Sequence, residues 1–134
     1  MAGPTGPAKS TRSGIARVKG LGAAKEGVHH WWAQRLTALA LIPLGLWFVA
    51  SLVCLAGADY TAISYWLGSP VTLGALSLLI VAVFYHAVLG LQVVIEDYIH
   101  GHAAKLALLI LVQFGAFALG AAAIVSMLWI ALKN

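Results

Sequence analysis

Three long apolar stretches alternate with short polar ones along this chain, and that alternation sets its architecture. The first, residues 36–55, is almost continuously apolar for about twenty residues, enough for a helix to cross a hydrocarbon core about 30 Å thick. Counting their interfacial flanks, the expected helices cover about residues 30–56, 70–99 and 104–132. Pro43 interrupts the first. In water it would argue against a helix, whereas in lipid a kinked helix is tolerated when neighbouring helices satisfy the freed carbonyl. Pro70 suits the first turn of the second helix. Residues 56–69 hold Gly57, Asp59, Tyr60, Tyr65, Trp66 and Gly68 with no Lys or Arg, and read as an outer loop with its own interfacial aromatics. The turn HGHAAK at 100–105 is short and weakly basic, which fits antiparallel packing of the second and third helices. Gly115, Gly120 and several alanines would let another helix approach the third closely. Trp31 and Trp32 at one end, and Trp129 with Lys133 at another, suit the headgroup zone. The predicted fold class is an all-α membrane protein with three transmembrane helices.

Composition supports this reading. Of the 134 residues, 62% are hydrophobic and 9% charged, with a mean hydropathy of +0.95, far from a soluble globular domain. The net charge of +4 balances eight cations against four acids, and six of the cations, Lys9, Arg12, Arg17, Lys19, Lys25 and Arg35, lie before or at the opening of the first apolar run. It therefore describes an N-terminal tail and not a surface built for nucleic acid. Residues 1–26, with no acid before Glu26, are expected to be a flexible basic tail, and residues 27–134 the three-helix domain. The positive-inside rule puts the N-terminus in the cytoplasm and the C-terminus outside, in a bacterial inner membrane. An acid-poor organelle transit peptide is the alternative, implying a mitochondrial inner membrane. The first apolar run is too long for the core of a cleavable secretory signal. Cys54 lies within an apolar run and has no intrachain partner. Without CxxC or CxxCH there is neither a self-contained thiolate metal site nor covalent c-type haem attachment.

The candidate chemistry is concentrated in HAVLGLQVVIEDY, residues 86–98. At about 100° per residue, His86 and Asp97 point within about 20° of one direction, and Gly90 and Val93 share that face. A rise of about 1.5 Å per residue separates His86 from Tyr98 by roughly 18 Å, so the histidine lies deep and the acid and phenol near one surface. Gly90, one turn from His86, leaves room for something flat and bulky. An ionisable residue at membrane midplane is a functional candidate by default, and a neutral imidazole suits an iron ligand. The plainer alternative is a histidine hydrogen-bonded to a neighbouring helix. A haem b held by two histidines would need its second ligand from another subunit, because His29, His30, His100 and His102 all fall at the surface. Tyr98 can donate a hydrogen bond to a quinone carbonyl while Asp97 orients it or relays protons; alternatively both are simply hydrated at a helix end. Arg35 could snorkel to phosphates, pair with Asp97 or meet haem propionates.

Taken together, GVHHWWAQR before an apolar helix and HAVLGLQVVIEDY at the end of the second resemble the hydrophobic membrane anchors of succinate dehydrogenase (succinate:quinone oxidoreductase). The likeness runs from about residue 27 to the C-terminus. It implies that His86 is one axial ligand of a haem b, and hence a metal ligand, with the other supplied by a cytochrome b anchor subunit that completes a larger helical bundle. It further implies that Tyr98 hydrogen-bonds ubiquinone, that Asp97 is its neighbouring acid, and that Arg35, with His29 contributing, lies near the propionates and the quinone pocket. Flavoprotein and iron–sulfur subunits would dock on the cytoplasmic face and deliver electrons from succinate. No catalytic residue is expected in this chain itself. A fumarate reductase anchor is the neighbouring alternative, and a cofactor-free transport or scaffold bundle the alternative of a different class.

Overall fold

The computed structural model describes residues 24–133, and all of its regular elements are helices: α1 (Ala24–Cys54), α2 (Tyr60–Gly68), α3 (Pro70–Tyr98) and α4 (His102–Leu132). Three helices are long and apolar enough to cross a membrane, with spans at Gly27–Cys54, Pro70–Tyr98 and His102–Leu132. The boundaries of α3 and α4 fall within two residues of those expected. Helix α1 begins earlier, at Ala24, so the last residues assigned to the tail belong to it. The expectation of a flexible tail otherwise falls on residues outside those described.

One connection differs from expectation. The outer loop at 56–69 contains the helix α2. Chain reversal after α1 passes through Gly57 at φ 85°, a left-handed conformation that glycine adopts without a Cβ penalty. Asp59 then caps α2, its carboxylate accepting from the Ala62 amide at 2.9 Å. Trp66 stacks on Trp47 of α1, with centroids 6.1 Å apart and planes inclined by 26°. At the same end of α2, a Cβ on Gly68 would lie 3.9 Å from the Ala131 carbonyl of α4. The short helix thus bridges the ends of α1 and α4. Ser69 ends α2 and precedes α3, whose first turn holds Pro70 as expected.

Helix α3 is the centre of the fold. It packs on α1 and on α4, whose backbones among the described residues do not approach each other closely, so the spans form a layer with α3 in the middle. His86 and Phe84 show how one helix serves both neighbours. Two residues apart, they project about 200° from one another, His86 to Thr37 on α1 and Phe84 to Gly120 on α4. The buried apolar residues are correspondingly few: Leu76, Ala82, Leu89 and Ile95 on α3, and Met127 on α4. Phe114, Phe117 and Leu132 are among the many large apolar side chains left exposed, as suits surfaces covered by lipid or by other helices.

Candidate functional site

Polar contacts interrupt the apolar seam between α1 and α3. On α1, His30, Gln34 and Thr37 recur at spacings of four and three residues, so they project from one face. That face meets the stripe of α3 carrying His86 and Gly90. Thr37 Oγ1 lies 2.9 Å from His86 Nδ1. His30 Nε2 donates to the Leu89 carbonyl at 3.2 Å. The Gln34 amide stands over Gly90, where a Cβ would meet its Nε2 at 3.6 Å. The space beside Gly90, expected to admit something flat and bulky, is therefore occupied here by Gln34. Gln34 Oε1 is buried with no hydrogen-bond partner among the described residues, a deficit that typically costs about 1–3 kcal/mol. Toward the Tyr98 end the seam opens into a groove of about 510 Å³ lined by Gly27, His30, Trp31, Gln34, Gln92 and Glu96. There Gln92 donates to Glu96 Oε1 at 2.9 Å.

The residues singled out in the sequence separate into two groups. His86 is half-buried, two residues past the midpoint of α3 at residue 84. Its hydrogen-bond partner is Thr37, and further along the same seam His30 meets the Leu89 carbonyl and Gln34 stands over Gly90. Tyr98 and Asp97 are exposed at the end of α3, Tyr98 by 76%, and neither side chain is hydrogen-bonded among the described residues. Arg35, two residues from Thr37, projects about 200° from it and so away from α3. Its guanidinium lies 4.2 Å from the Trp31 ring centroid and makes no ion pair with Asp97 among the described residues. His29 is exposed, and His30 is the member of the pair turned into the seam. Sequence reasoning passes over Thr37 and Gln34, although a polar residue every third or fourth position on an apolar helix is the signal that marks them.

The seam places one imidazole at membrane depth but no cluster around it. Among the described residues, no group of three or more His, Cys, Asp or Glu side chains could hold a metal ion. Comparison with known proteins supplies the wider context. Residues 9–131 match the family described as the succinate dehydrogenase/fumarate reductase transmembrane subunit. The chain belongs to that family. The succinate dehydrogenase hydrophobic membrane anchor subunit of Rickettsia bellii is 38% identical to it over 102 residues, covering 76% of this chain and 82% of the relative. The subunit of the same name from Rickettsia conorii is 39% identical over 100 residues, with coverages of 74% and 79%. That of Paracoccus denitrificans is 30% identical over 98 residues, with coverages of 73% and 76%. No solved structure matches the chain. The family match begins at residue 9, so it reaches into the basic tail that the resemblance, noted from about residue 27, left out. Membership of this family implies that the chain works alongside the other subunits of the complex.

Proposed function

We propose that His86 of this succinate dehydrogenase anchor subunit would hold a haem b together with a partner subunit, and that Tyr98 forms part of a ubiquinone-reducing site. The observation that carries the reading is His86 itself: an imidazole at mid-depth of a spanning helix, tied through Nδ1 and without a partner on Nε2 among the described residues. That donor fits haem iron, which binds neutral imidazole. Because this chain offers one ligand at that depth, the second comes from a cytochrome b anchor subunit packed against the layer. Haem b, when bound, supplies a site that takes up and releases one electron.

The residues of this chain do the rest. Nε2 of His86 would hold the iron. Tyr98, exposed near the membrane surface, donates its hydroxyl hydrogen to a quinone carbonyl, and Asp97 beside it helps pass protons from water. Arg35, turned away from α3 and held over the Trp31 ring, offers its guanidinium to propionate or phosphate groups on the outer side of α1. Reduction of the quinone consumes two electrons and two protons, the electrons arriving from succinate through flavoprotein and iron–sulfur subunits at the same membrane face. The cationic residues ahead of α1 support a cytoplasmic N-terminus in a bacterial inner membrane.

The test is a dithionite-reduced minus oxidised visible spectrum of the native assembly, purified through a tag on this chain, with the co-purifying subunits identified. A b-type spectrum alongside flavoprotein and iron–sulfur partners is expected, and His86→Ala should abolish or shift it while the chain still inserts. An unchanged spectrum in the variant would remove His86 as ligand. A cofactor-free scaffold is the second reading, favoured to the extent that Thr37 already satisfies one ring nitrogen; an assembly devoid of haem would select it.

A further inference from the structure

We propose that Thr37 is the positioning residue for His86, fixing its ring as the Nδ1–H tautomer and leaving the Nε2 lone pair bare. The purpose of that arrangement rests on the haem reading above; the tautomer does not. It follows from counting hydrogens. A threonine hydroxyl has one hydrogen and two lone pairs. Thr37 Oγ1 lies 2.8 Å from the Ala33 carbonyl oxygen, 3.0 Å from that of Gln34 and 2.9 Å from His86 Nδ1. Both carbonyls can only accept. Were the hydroxyl hydrogen turned toward Nδ1, lone pairs of Oγ1 would face two carbonyl oxygens at contact distance with no proton between. The hydrogen therefore lies toward the carbonyls, a lone pair faces the ring, and Nδ1 must bring the proton.

A neutral imidazole carries one N–H, so Nε2 is then the unprotonated nitrogen, the form required to bind a metal. A doubly protonated ring would put a charge at mid-membrane depth, which is costly. The device is local and stiff. Ala33 and Gln34 precede Thr37 by four and three residues on the same helix, so the backbone of α1 itself aims the hydroxyl, and the β-branched side chain has few rotamers. An Nδ1–H donating to an oxygen is also the arrangement that orients metal-bound histidines and raises their basicity. Losing it makes His86 a poorer electron donor, stabilises the oxidised metal less, and so raises the reduction potential.

Two measurements on Thr37→Val and Thr37→Ser test this. In the full chain labelled with 15N-histidine and placed in lipid bilayers, solid-state NMR distinguishes protonated from bare ring nitrogens, with His86 assigned by difference from His86→Ala. The wild type should show Nδ1–H and bare Nε2, Thr37→Val should lose that preference, and Thr37→Ser should restore it. In the purified assembly, the potential of the b-type signal should shift upward in Thr37→Val and return in Thr37→Ser. A wild-type ring protonated on Nε2 overturns the proposal. So does a valine variant that assembles less well but keeps the wild-type tautomer and potential, since that describes mere packing. An assembly without haem whose ring nevertheless follows the Thr37 series overturns the haem reading and upholds the positioning role.

Discussion

The two seams of α3 are built on opposite principles, though one helix makes both. Toward α1 the contacts are polar and half-buried: Thr37 with His86, His30 with the Leu89 carbonyl, and the Gln34 amide over Gly90. Toward α4 the fit is by shape. A Cβ on Gly120 would come within 3.3 Å of the Phe84 ring, and beside this close approach runs a largely apolar groove of about 390 Å³ with Gln113 on its wall. A polar contact between α3 and α4, Lys105 Nζ to the Glu96 carbonyl at 3.1 Å, lies at their connected ends. In lipid, helices gain no hydrophobic drive from pairing, so close packing over small residues holds them together, and polar side chains persist where they have work to do. The α3/α4 seam is thus built for packing, and on the reading proposed above the polar α1/α3 seam serves the haem site.

The strongest way to break that division is at Gly120. Gly120→Leu places a branched side chain against Phe84, and overpacking of this kind costs about 1–3 kcal/mol. Denaturant titration of the purified chain in detergent should show the loss, whereas Gly115→Ala, with nothing within 4 Å of its added methyl, should titrate like the wild type. If the purified Gly120→Leu assembly keeps its b-type spectrum despite lower stability, the seams are separable as described. Loss of the haem signal at undiminished stability would show that the packing seam also builds the site.

Tyr98 tests the part of the site that belongs to neither seam. Tyr98→Phe retains the ring and removes one hydrogen-bond donor, an effect of about 1 kcal/mol, or roughly fivefold to tenfold in rate. Succinate-dependent quinone reduction by the assembly should fall by that amount while succinate oxidation by an artificial dye continues. Equal loss of both would place the defect in assembly instead.

The spans are legible in the sequence because the apolar runs and their proline and aromatic punctuation are long-range signals; α3 and α4 lie within two residues of expectation. Helix α2 is not, because a nine-residue amphipathic turn with Tyr60, Ile63 and Trp66 on related positions also reads as interfacial aromatics in a loop, although Asp59 offers the capping signal. His86 stands out as a lone ionisable residue in an apolar run. Its partner does not: Thr37 in an apolar helix ordinarily bonds its own backbone, and only the register of α1 against α3 shows that it also meets His86. Register likewise turns Arg35 away from Asp97 and fills the space beside Gly90, neither of which follows from the pattern of one helix.

Gly90 gives the smallest expected effect and the finest discrimination. A methyl there would lie 3.6 Å from Gln34 Nε2, an ordinary van der Waals distance to the mobile end of a flexible side chain, in contrast to the tight ring contact at Gly120. Gly90→Ala should therefore change stability by no more than about 0.5 kcal/mol and leave the b-type spectrum of the assembly as it is. The outcome depends on where Gln34 stands in the assembled complex. If the amide remains over Gly90, the methyl meets Gln34 and a haem held by His86 would be indifferent to it. If the variant folds but fails to take up haem, Gln34 must swing aside on assembly and give its place to the macrocycle. That displacement would also free its buried Oε1, unpartnered among the described residues, to find a donor, linking this group of the seam to haem uptake.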